Sequence, residues 1–228
     1  MAEKTSDLTA LRDQLRMVVQ EHMALDPAHD LAHLDRVWRN AQAITVADRK
    51  GDLQVLLAAS YLHDLVNLPK DHPNRALASA QSADAAGPIL AGLGFTPDQI
   101  KNTQHAITAH SYSAGIPPET PEAMILRDAD RLDALGAIGI ARTFVVAGAL
   151  GLPLYDPNDP HAQQRPLDDN RFAIDHWQVK LLKLPDGMLT PTGCDMAQQR
   201  VRVMLDYLAT LSAELGTEMP ANLMEPSL

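Results

Sequence analysis

Residues 56–69 read LLAASYLHDLVNLP. From Leu53 to about Val66 the chain is apolar nearly all round, which predicts a buried helix. His63 and Asp64 interrupt it. A carboxylate on such a helix is costly unless it is paired or bound to a cation. Adjacent helical residues point about 100° apart, so His63 and Asp64 can share one rim of a pocket. An imidazole nitrogen beside a carboxylate oxygen suits a borderline or hard divalent metal. Taken alone, the pair equally fits a hydrogen-bonded core histidine followed by a helix-end charge.

Working outward, helical periodicity recurs on both sides. Leu8, Leu11, Leu15, Val18 and Val19 predict a first helix over 8–25. Pro27 suits the start of a second, which carries His29, His33, Val37 and Ile44. NLPKDHPNR, residues 67–75, is a polar loop with two prolines. Helices follow over 75–92 and 97–110, and an apolar helical segment over 122–148. In that segment Gly136 and Gly139 would permit close helix packing. Residues 151–170 form the longest loop, a lid or flexible insertion. Segments 171–184 and 194–216 read as the last helices, with a loose tail after 217. No alternating strand pattern is present.

Of the 228 residues, 46% are hydrophobic and only 4% aromatic, so the core is expected to rest on Ala, Leu, Ile, Val and Met. Such a core favours an all-α fold. The length fits one domain over 1–228, with a metal-binding core over about 25–150 and a helical C-terminal lobe over about 171–216. A net charge of −10 argues against extended nucleic acid as a partner. A basic pocket for one small anionic substrate remains compatible with it. Cys194 is the one cysteine, which excludes an internal disulfide and a cysteine-based zinc site. No apolar run approaches the roughly 18 residues of a membrane span. The charged N-terminal segment reads as an amphipathic helix, so a cytoplasmic location is expected.

Two further stretches change the weight of the His-Asp pair. HDLAHLDRVWRNA contains His33, thirty residues upstream of His63, and ILRDADRLDALGA contains Asp130 downstream. The ordered set His33, His63-Asp64, Asp130, each on a helix, resembles the HD-domain superfamily of metal-dependent phosphohydrolases. HDLVNLPKDHPNR, ITAHSYS and DHWQVKLLKLPDGMLTPTG extend the likeness to a bacterial branch of that superfamily, over roughly residues 25–210.

The resemblance implies an HD-domain helical bundle with a C-terminal helical extension. It also implies one divalent ion (Mg, Mn, Ni, Co, Fe or Zn) on His33, His63, Asp64 and Asp130. His29 shares a helix face with His33 and is assigned to the pocket lining; Asp128 points away from Asp130 and is set aside as a ligand. Asp64, Asp71 and His110 are the candidate catalytic residues. Arg36, Lys70, Arg75, His29 and Lys180 are candidates for binding substrate phosphate, with Arg131 and Lys183 as further cations. His72, His105 and His110 are the histidines available for a second metal; His105 and His110 point too far apart to share one. The implied reaction is hydrolysis of a phosphomonoester or phosphodiester, such as a nucleotide or small phosphorylated metabolite. Leu65, Val66 and Asn67 stand where stringent-response hydrolases of this superfamily carry an acidic pair, which argues against their substrate. Two other functions stay open: a dinuclear iron oxygenase, and a non-catalytic metal- or nucleotide-binding protein. A homodimer is allowed.

Overall fold

A computed structural model describes residues 2–22, 30–66, 68, 74–111 and 114–224. The described residues contain helices and no strand. The chain divides into two compact units, residues 1–130 and 131–228.

In the first unit, α3 (Leu53–Leu62) is the axis. It packs against α1 (Ala2–His22), α2 (Leu31–Asp48), α4 (Ala78–Gly92) and α5 (Pro97–His110). Every side chain from Val55 to Leu62 is buried, as an all-round apolar helix requires. On α2 the buried residues His33, Leu34, Val37, Ala41 and Ile44 form one helical stripe. α6 (Pro121–Leu132) is pinned near both ends. At its start, Glu122 accepts the Asp52 amide at 2.7 Å and the Asn102 side chain at 3.0 Å. Near its end, the Ala129 carbonyl accepts Nδ2 of Asn40 at 3.0 Å.

A polar knot ties α1 to α2 and α3. Arg12 donates to Asp35 and to the Tyr61 hydroxyl, each at 2.8 Å, and Arg16 and Tyr61 both donate to Asp35. Burial opposes the charge on Asp35, but the hydrogen bonds from Arg16, Tyr61 and Arg12 outweigh it and hold the carboxyl down at about 2.

Several helix ends differ from the sequence reading. The second helix starts at Leu31 rather than at Pro27, because the Asp30 carboxylate caps it, accepting the His33 amide at 2.8 Å. Pro27 lies outside the described residues. The third helix stops at Leu62 and not Val66: Ser82 of α4 accepts the Val66 amide at 3.0 Å and draws the chain off the helical path. The segment expected over 122–148 is two helices, α6 and α7 (Gly136–Ala149), separated by tight turns at 131–135. Gly136 turns the chain with φ +68°. Gly139 serves close approach, but to backbone rather than to a helix: a Cβ there would lie 2.1 Å from the Ala134 carbonyl oxygen.

The second unit holds α7, α8 (Asp175–Val179), a 3-10 turn at Leu181–Gly187, α9 (Pro191–Leu215) and α10 (Ala221–Met224). Its buried residues are mainly Ala, Leu, Ile, Val and Met, joined by Phe172 and Trp177. Phe144, Trp177 and Tyr207 cluster with ring centroids 5.6–6.1 Å apart, and the Trp177 indole donates to Thr143 at 3.0 Å. The 151–170 loop is tied down by its own polar groups. Asp159 accepts the amides of Gln163, Gln164 and Arg165 at 2.8–3.1 Å. Arg165 grips the buried Asp175 through two nitrogens, at 2.5 and 3.0 Å. The tail is packed as well, with Met219 and Leu223 buried. Among the described residues, no single helix is long and apolar enough to cross a membrane.

Candidate metal centre

Four helix ends of the first unit bring the five candidate side chains together. His33 lies in the first turn of α2, and Asp30 caps that turn directly onto the His33 amide. His63 is the cap residue after α3, Asp64 follows it, His110 is the last residue of α5, and Asp130 sits in the last turn of α6. Three helix C-termini therefore meet at this point, and their negative dipole ends favour a cation.

The spacing is the informative feature. Nε2 of His33 is 3.5 Å from Asp130 Oδ1 and 3.9 Å from Asp64 Oδ2. Nε2 of His63 is 3.5 Å from Asp64 Oδ2 and 3.9 Å from Asp130 Oδ1. Two imidazoles and two carboxylates thus alternate around a four-sided ring. Bonds of about 2.0–2.2 Å to a central ion place tetrahedral ligands roughly 3.4 Å apart, close to these edges. Direct hydrogen bonds would be shorter, nearer 2.9 Å.

The imidazoles are set up as donors of a lone pair. His63 Nδ1 donates to the Ser60 carbonyl at 2.9 Å, which leaves Nε2 as the unprotonated nitrogen. That Nε2 is buried and makes no hydrogen bond among the described residues. A buried polar atom left so is costly, and an ion would relieve it. His110 repeats the device: its Nδ1 donates to the Ile107 carbonyl at 2.6 Å and its Nε2 lies 3.8 Å from Asp64 Oδ1. Burial, and then the neighbouring His63, push the His110 imidazole below its ordinary value and keep it neutral. The His63 and His110 rings meet edge to face at 4.9 Å. The donor set therefore fits a divalent ion on its own chemistry. The His33 and His63 side chains are 2% and 0% exposed, against 19% and 30% for Asp64 and Asp130. The ring is closed on its imidazole side and open on its carboxylate side.

The other sequence candidates distribute unevenly. Arg36 lies half-buried one turn after His33. Arg75 donates to the Leu68 carbonyl. Arg131 belongs to the second unit and donates to the Gly187 carbonyl at 2.9 Å. Lys180 and Lys183 are exposed on the second unit. His105 accepts the Glu119 amide at 3.0 Å and so caps a loop instead of facing Asp64. Asp128 is fully buried. His29, Lys70, Asp71 and His72 lie outside the described residues.

A profile of the HD-domain family matches residues 30–135. Protein YpgQ of Bacillus subtilis is 31% identical over 208 residues, which span 89% of this chain and 93% of YpgQ. The chain belongs to the HD-domain superfamily. The crystal structure of YpgQ in complex with ADP superposes with a TM-score of 0.70, over 94% of this chain and 97% of that one. A Bacillus thuringiensis protein described as an HD-superfamily hydrolase is 28% identical, with a TM-score of 0.70 over 94% of this chain and 100% of its own. All five converging side chains fall within the stretch matched to the HD family, which opens on the residue that caps His33.

Two contributors to this HD centre escaped the sequence reading. Asp30 carried a legible signal, an aspartate just before an apolar-periodic run. Asn40 carried a subtler one, an amide on the buried stripe that also holds His33.

Proposed function

We propose that this HD domain is a metal-dependent phosphohydrolase acting on a phosphomonoester or phosphodiester, with a nucleotide or another small phosphorylated metabolite as substrate. The observation that carries the reading is the alternating ring of His33, Asp130, His63 and Asp64, its edges too long for hydrogen bonds and matched to a coordinated ion. A divalent ion there supplies Lewis acidity, acidifying water and polarising a phosphoryl oxygen. His33 and His63 offer ring nitrogens from the closed side. Asp64 and Asp130 offset the ion's charge on the open side, where substrate enters. His110, held neutral by burial and fixed by Ile107, accepts at Nε2 the proton released as water attacks. Arg36, one turn beyond His33, balances the substrate's phosphate charge. The ADP complex of YpgQ supports a nucleotide as the first substrate to try.

The test is a screen of nucleotides and sugar phosphates with Mn, Mg, Co, Ni and Fe, run beside His63→Ala. Metal-stimulated phosphate release by the wild type, absent from the variant, is expected. If no metal stimulates hydrolysis of any phosphate ester, the reading is wrong.

One observation favours a second reading. Asp64 turns Oδ2 toward His33 and His63 but Oδ1 toward His110, so its carboxylate is placed to serve two ions. Two irons per chain with substrate-dependent oxygen uptake would select a dinuclear oxygenase over the hydrolase.

A further inference from the structure

Asn40 is buried on α2, seven residues after His33 and so two turns along the same stripe. An amide among Leu34, Val37, Ala41 and Ile44 is costly without a hydrogen bond and of modest net value with one. A leucine would be the cheaper filling. Its Nδ2 reaches across 3.0 Å to the carbonyl of Ala129, the residue immediately before Asp130. That carbonyl belongs to the last turn of α6, where helices fray. The bond therefore runs from the helix that carries His33 to the peptide that carries Asp130. The gap it governs is the 3.5 Å edge between His33 Nε2 and Asp130 Oδ1.

We propose that Asn40 is a positioning residue of the metal centre: it fixes Asp130 against His33 and thereby sets the affinity for the ion. The inference rests on the metal-centre reading. It differs from a purely structural role in a measurable way, because α6 carries a second buried tie at its other end. Glu122 there joins the starts of α3 and α6 and reaches Asn102 of α5, at the opposite end of α6 from Asp130 and more than two turns before it.

The experiment titrates the full chain with Mn²⁺ and reads free ion by electron paramagnetic resonance. Melting of the chelated protein is followed in parallel. Asn40→Ala removes the donor, and Asn40→Leu removes it while filling the space, which covers the case where truncation unfolds the chain. Glu122→Gln serves as the comparison. Both Asn40 variants are expected to weaken Mn²⁺ binding about 10–100-fold, with hydrolysis recovering as Mn²⁺ is raised. Glu122→Gln is expected to lower the melting temperature and leave the Mn²⁺ affinity at the wild-type value. Asn40 variants with wild-type affinity, or a loss of affinity matched by Glu122→Gln, would overturn the proposal. A wild-type chain that binds no divalent ion removes the metal-centre reading itself.

Discussion

Two polar clusters occupy the same two helices and are built in opposite ways. Asp35 lies two residues after His33 and Tyr61 two residues before His63, so α2 and α3 each contribute to both. In the outer cluster, Asp35 is closed upon by Arg12, Arg16 and Tyr61, all in direct contact. In the inner one, four donors stand 3.5–3.9 Å apart around a centre that none of them fills. The outer cluster is complete within the chain and serves stability. The inner one has the donors and the spacing that fit a divalent ion.

The largest effect that would break this contrast comes from the inner cluster. Asp64→Asn should abolish metal retention and phosphate release while the chelated protein melts no lower than wild type, since one of two crowded carboxylates is neutralised. Elemental analysis, a phosphate assay and calorimetry check the three parts. A large fall in the melting temperature of the chelated protein would place Asp64 among the structural groups with Asp35.

Asp35→Ala should do the reverse. It strands two guanidinium groups and the Tyr61 hydroxyl, at a cost of about 1–3 kcal/mol, while metal content stays at the wild-type level. Urea unfolding with parallel metal analysis separates the two clusters. Chelation of the loaded wild type is expected to cost a similar amount, about 2.7 kcal/mol when the ion had been present at a hundredfold excess over its Kd. Re-addition of the ion should restore the melting temperature.

The pH dependence sharpens the contrast further. The Asp35 carboxyl is held at about 2, below its ordinary 3.8. Its contribution is therefore complete above pH 4 and is lost as pH falls toward 2. Chelated wild type and Asp35→Asn should differ in stability at pH 5 and converge near pH 2. A constant difference across that range would show that the charge is not what holds the knot. The smallest effect belongs to Tyr61→Phe, about 0.5–1.5 kcal/mol with unchanged metal binding.

The inner cluster was legible in the sequence and the outer one was not, for a physical reason. His63 and Asp64 break an apolar helix, and a histidine and an aspartate on a buried helix advertise a cost. Asp35 advertises nothing. It reads as a solvated charge because its partners lie 19, 23 and 26 residues away, beyond any local periodicity. The same distinction sorts the helix ends. Thr96-Pro97 opens α5 where expected, since its capping box is local in sequence. The end of α3 depends on Ser82 of another helix, and no pattern within residues 53–66 reveals it. The charge of Arg131 is visible in the sequence, whereas its acceptor, the Gly187 carbonyl 56 residues on, is not.

The carbonyls of Ser60 and Ile107 turn the His63 and His110 rings before any ion is considered. These two rings would need little rearrangement to hold an ion, and loading would then be paced by how fast the ion sheds its own water. Exchange of one metal for another should be fast compared with global unfolding, which stopped-flow mixing of Mn²⁺-loaded chain with Zn²⁺ would measure. A centre loaded in this way would follow the ions available around it, so the metal it held would be a matter of supply as much as of affinity.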